Sequence, residues 1–156
     1  MGKIGISIDY SNICKDYNTV YLDRDNTDPA TKKCMTSVLK WMQSFLNDLL
    51  AEFGYQLHNV SSESPVKVDD VAAKRFLFYS LEKEIMLQSY VIQKSLTLYD
   101  SLAAWEANSS DSIMIQNDED GSGIALYMEK GSQEETWIRK RLEAFSLDEV
   151  AFEPIR

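Results

Sequence analysis

Two aspartates one residue apart, Asp23 and Asp25, close the stretch Thr-Val-Tyr-Leu-Asp-Arg-Asp-Asn-Thr (residues 19–27) and carry the clearest chemical signal in the chain. The apolar run Val20–Leu22 predicts a short strand ahead of them. Carboxylates at the end of a strand stand where layered α/β sheets collect their ligands. One such group can attack an electrophile while its neighbour moves a proton or holds a cation. A solvated acidic turn would use the same residues, so the elements around them have to decide.

The bulk properties narrow the field. With 156 residues, 44% of them hydrophobic, the chain has enough apolar mass for one domain with a real core. A formal charge of −9 repels nucleic-acid phosphates, which argues against a nucleic-acid partner. The same charge suits a metal-dependent enzyme or an acidic protein that settles on a basic partner surface. Cys14, Cys34 and the single His58 are too few for a closed zinc site. No apolar leader follows Met1–Lys3 and no apolar run is long enough for a bilayer, so reduced thiols, a cytoplasmic location and no membrane contact are expected.

Ile4, Ile6 and Ile8 alternate with Gly5, Ser7 and Asp9, which predicts a strand. Asp28-Pro29 predicts a helix start, and the spacing of Met35, Val38, Leu39, Met42, Phe45, Leu46, Leu49, Leu50 and Phe53 predicts a long helix closed by Gly54. Residues 55–60 predict a buried strand. A second helix is predicted from Asp69 or Asp70 to about residue 92, with 85–92 equally readable as a strand. A third is predicted over 95–104. Ile113–Ile115 predicts another strand, and Ile124–Met128 a strand or a helix start. Ser132 and Glu135 form a capping box for a last helix through about Phe145. This alternation predicts an α/β fold, a single three-layer domain with a central, mainly parallel sheet flanked by helices; α+β with antiparallel hairpins is the alternative.

The wording Leu22-Asp23-Arg24-Asp25-Asn26-Thr27 resembles the first motif of the haloacid dehalogenase-type phosphatases. The resemblance implies Asp23 as nucleophile and Asp25 as general acid/base. It extends to Ser61, at the end of Gln56–Val60, as the hydroxyl that bonds the transferring phosphoryl group. Lys94 takes the place of the lysine that neutralises the aspartyl-phosphate. Asp118, after Ile113–Ile115, joins Asp23 and the Asp25 carbonyl around Mg²⁺. The implied reaction is hydrolysis of a small phosphate ester through an aspartyl-phosphate. The chain departs from the family pattern at Asn117, where glycine is usual, and at Ser122, where a second acid falls.

The same residues support other chemistry. From Asp118 to Glu129 the spacing fits a calcium loop, with Gly123 at its sixth position, and a plain hairpin joining 113–115 to 124–128 fits as well. Asp9 with Asp23 and Asp25 would make a nuclease-type carboxylate cluster. A non-catalytic alternative is an acidic inhibitor or immunity-type protein that occupies a basic partner surface.

Overall fold

The alternating isoleucines form strand β1, Lys3–Asp9, which runs into a single 3-10 turn at Tyr10–Asn12. The structure, a computed structural model, describes residues 2–15, 29–59, 89–94, 102–109, 111–117 and 123–151. Helix α1 spans Pro29–Phe53, as the spacing of its apolar residues predicts, and Gly54 closes it at φ 66°. Then come β2 (Gln56–Asn59), β3 (Ser89–Gln93), α2 (Leu102–Asn108), β4 (Ser112–Asn117) and β5 (Gly123–Glu129). Helix α3 (Gln133–Arg141) and the short β6 (Asp148–Val150) complete the described elements.

The strands make one six-stranded sheet in the order β2-β3-β4-β5-β1-β6, and every neighbouring pair is antiparallel. The expected mainly parallel, three-layer α/β domain is therefore corrected to an α+β fold. Part of the reason lies in connection length. Residues 118–122 are too few for a parallel crossover, which needs about a dozen residues, so β4 and β5 close as a hairpin. The rest lies in burial. Every residue of β4 from Ser112 to Gln116 and of β5 from Gly123 to Met128 is buried. Strands covered on both faces lose the alternation that marks a half-exposed antiparallel sheet, and so resemble the strands of a parallel one.

One face of the sheet carries Ile4, Ile6 and Ile8, matched in register to Met128, Leu126 and Ile124. Val38, Met42, Phe45, Leu46 and Leu49 of α1 and Ile138 of α3 pack onto it. Along the seam of the two helices Trp41 stacks on Phe45, and Trp137 lies against both Phe45 and Phe53. Beside that seam the Tyr55 hydroxyl donates to the buried Glu134 at 2.6 Å. Burial, then that carboxylate, push the phenol far above its ordinary range.

The other face is covered as well. Trp105 of α2 packs there with Val91, Met114, Ala125 and Tyr127. Its indole N–H donates to Ser112 Oγ at 2.9 Å. Lys3 lies on this face with its side chain only 3% exposed and its ammonium 3.4 Å from Glu129. The ammonium donates to the Ser109 carbonyl at 2.7 Å and stands 4.6 Å from the centre of the Trp105 ring. These contacts pin the C-terminal end of α2 to β1.

The capping box at α3 forms with a shift of one residue. Ser132 accepts the Glu135 N–H, while the Glu135 carboxylate accepts from Gly131 N–H at 2.7 Å and from Arg139. Arg139 in turn reaches Glu149 of β6. The Gly131 hydrogen bond, then Arg139, hold the Glu135 carboxyl below its ordinary pKa, against a smaller opposing effect of burial. A carboxylate depressed in the folded state adds stability above its unfolded pKa of about 4.3 and loses it as the pH falls through the lower folded value. Thermal unfolding of the protein and of Glu135→Gln should therefore differ at pH 7, by about 1 kcal/mol, and converge as the pH drops below about 4.

Candidate functional site

Strand directions decide which parts of the sequence share a place. β1 and β4 both run antiparallel to β5, and β2 and β4 both run antiparallel to β3. β1, β2 and β4 therefore point the same way, and their last residues, Asp9, Asn59 and Asn117, stand at one end of the sheet. The register agrees, pairing Asp9 with Gly123, Asn117 with Ile124 and Asn59 with Tyr90. From this end leave the segments that contain residues 16–28, 60–88 and 118–122.

In composition two of these segments are acidic, whereas 60–88 is nearly balanced, with Glu63, Asp69, Asp70, Glu82 and Glu84 against Lys67, Lys74, Arg75 and Lys83. Residues 16–28 hold Asp16, Asp23, Asp25 and Asp28 against Arg24 alone, and 118–122 holds Asp118, Glu119 and Asp120 with no basic residue. The described residues at the same end add the exposed Asp9. Its carbonyl accepts from Asn12 Nδ2 at 3.1 Å, and Asn12 Oδ1 accepts from the Ser146 N–H at 3.3 Å. Gly123 allows the tight closure here. A Cβ on it would fall 2.1 Å from the Ile8 carbonyl oxygen.

A disulfide joins Cys14 to Cys34 at this end, with their Cα atoms 5.4 Å apart. The expectation of reduced thiols is thereby corrected. The bond holds the chain just after β1 to the N-terminal part of α1, so the segment 16–28 begins and ends at one place.

The expected catalytic set fares unevenly. Asp23, Asp25, Ser61 and Asp118 lie outside the described residues, so no magnesium geometry follows for Asp23, Asp25 and Asp118. Lys94 is exposed and directly follows β3. Gln93 pairs there with Gln56 and Ser112, the first residues of β2 and β4, so Lys94 stands at the sheet end opposite Asp9, Asn59 and Asn117. The five residues of β3 separate the two ends by roughly 15 Å.

The calcium-loop reading fails on backbone, because Gly123–Glu129 is a strand and its expected sixth and twelfth positions are the two ends of β5. The hairpin reading of the same residues holds. Among the described residues no group of three or more His, Cys, Asp or Glu side chains is placed to hold a metal ion. Among them, too, no helix is long and apolar enough to cross a membrane.

Sequence reasoning missed the sharing of one end by the acidic segments, since a strand's direction within a sheet leaves no local mark on its residues. It also missed Lys3, which reads as a solvent-facing residue of β1. No family model matches the chain, and no curated protein or solved structure does either.

Proposed function

We propose that the chain is a non-catalytic binding protein whose acidic sheet end occupies the basic surface of another protein. One observation carries this reading. Two acidic stretches, 16–28 and 118–122, leave the sheet from the same end as the exposed Asp9. Like charges gathered at one end of a rigid sheet create a field that steers an oppositely charged surface and fixes its orientation.

The phosphatase reading retains the wording of 19–27. It loses the support of a parallel sheet, and its lysine, Lys94, follows a strand that ends away from the others. A cytoplasmic location, expected together with reduced thiols, now has to accommodate the Cys14–Cys34 bond. In a reducing compartment such a bond is reversible chemistry rather than a permanent staple.

Titration of a fluorescent oligo-arginine peptide tests the proposal. Asp118→Asn together with Asp120→Asn should weaken binding roughly tenfold at about 0.15 M ionic strength, each charge contributing on the order of 0.7 kcal/mol. Mg²⁺-dependent hydrolysis of an aryl phosphate, lost in Asp23→Asn, would instead move the assignment to the phosphatase reading.

A further inference from the structure

The Cys14–Cys34 bond ties the turn after β1 to the N-terminal part of α1. It connects Cys14, just beyond the single 3-10 turn, to Cys34, in the second turn of α1. β1 is fixed by β5 and β6, and the middle of α1 by Val38, Met42, Phe45, Leu46 and Leu49. The turn and the first part of α1 have the disulfide as their covalent tie.

We propose that this bond is a reducible clasp that sets the conformation of one end of the sheet without being needed for the fold. The two cysteines are unequally exposed. Cys34 is fully buried, whereas Cys14 is half-buried, so a reductant reaches Cys14 first. The thiolate of a dithiol attacks the Cys14 sulfur, and the S–S bond breaks with its electron pair leaving on Cys34, which takes up a proton. The second thiol of the reagent then attacks the mixed disulfide, forming the reagent's own disulfide and releasing Cys14. Two electrons pass from dithiol to protein, and two thiols result. The chain has no third cysteine, so the bond can break and re-form but cannot be exchanged for another pairing.

After reduction Cys34 remains a small apolar side chain in the core beside Tyr10 and Val38, and the sheet loses no hydrogen bond. What is lost is the closure of the 20-residue separation between the two cysteines. Closing a ring of that size disfavours the open state by roughly a hundredfold. The clasp thus controls how tightly the ends of the acidic segment 16–28 are held together. Its relevance to partner binding rests on the function proposed above, whereas the clasp itself does not.

Hydrogen exchange on the intact protein, with and without dithiothreitol, tests the clasp alone. The oxidised protein should show no titratable thiol. On reduction, amides of residues 10–15 and 33–38 should exchange roughly a hundredfold faster, while β4 and β5 keep their protection. Cys14→Ser should reproduce the reduced pattern in the absence of reductant. Free thiols in the air-oxidised protein, unchanged exchange on reduction, or loss of protection across β4 and β5 would each overturn the proposal. Oligo-arginine titration in both redox states separates the two ideas. Absent binding in both states counts against the function, whereas the clasp stands or falls on the exchange rates alone.

Discussion

Trp105→Ala should lower stability by about 3–5 kcal/mol, the range for removing a large buried aromatic side chain. The ring is fully buried and carries the contact between α2 and the sheet. Its loss removes the packing on Val91, Met114, Ala125 and Tyr127. It also deprives Ser112, itself 2% exposed, of the indole N–H that its hydroxyl accepts. Lys3 loses the ring below its ammonium while remaining out of water. A buried charge stripped of part of its environment adds to the cost rather than offsetting it. Urea unfolding followed by circular dichroism measures the change. Trp41→Ala, at the half-buried helix seam, should cost clearly less. Equal costs at the two positions would mean that the second face of the sheet is not the dry contact described here.

Gly123→Ala should be nearly as damaging, at about 3 kcal/mol, the upper part of the usual overpacking cost. The new methyl would meet the Ile8 carbonyl oxygen at 2.1 Å and the Asp9 Cα at 3.1 Å, both backbone atoms that cannot swing aside. Relief requires β1 and β5 to part where Asp9 pairs with Gly123. Glycine within a strand often marks such a close approach of another backbone. Gly2→Ala, with nothing within 4 Å, is the matched control and should be neutral within about 0.5 kcal/mol. Hydrogen exchange would place the damage. Amides of Ile8, Asp9 and Ile124 should lose protection before those of Ile113–Ile115.

These residues also show how far the sequence could be read. The apolar stripe of α1, the alternation of β1 and the cap of α3 are set by local periodicity and hydrogen bonding, and all three are visible in the residues themselves. Of the helix predicted over 95–104, residues 95–101 lie outside the described residues; the described helix α2 covers Leu102–Asn108 and runs past the predicted end, where Trp105 docks on the sheet. Residues 85–92 read equally as helix or strand, and Ser89–Gln93 is a strand because Val91 and Ile92 are buried on opposite faces. Residues 55–60 predict a strand, which β2 bears out with Leu57 buried, and among the described residues β2 stands at the edge of the sheet.

Non-local facts were out of reach. Nothing in Ile113–Ile115 states the direction of its neighbours, and nothing in Lys3, Gly5 and Ser7 reveals a helix above them. Cys14 and Cys34 are distant in sequence, and only the return of α1 to the end of β1 brings them together. The candidate site was legible as chemistry, in the carboxylates of 16–28 and 118–122, and not as geometry.

Charge removal at the two ends of the sheet distinguishes an acidic binding surface at one end from a uniform effect of net charge. Asp118→Asn/Asp120→Asn removes two charges from the segment between β4 and β5. Glu106→Gln/Asp111→Asn removes two from exposed positions in α2 and just ahead of β4, where asparagine also tolerates the φ of 48° at Asp111. Net charge falls equally in both. With the oligo-arginine peptide at about 0.15 M ionic strength, the first variant should lose roughly tenfold in affinity and the second less than about twofold. Equal losses in the two variants, or none in either, would contradict a binding surface at the acidic end of the sheet.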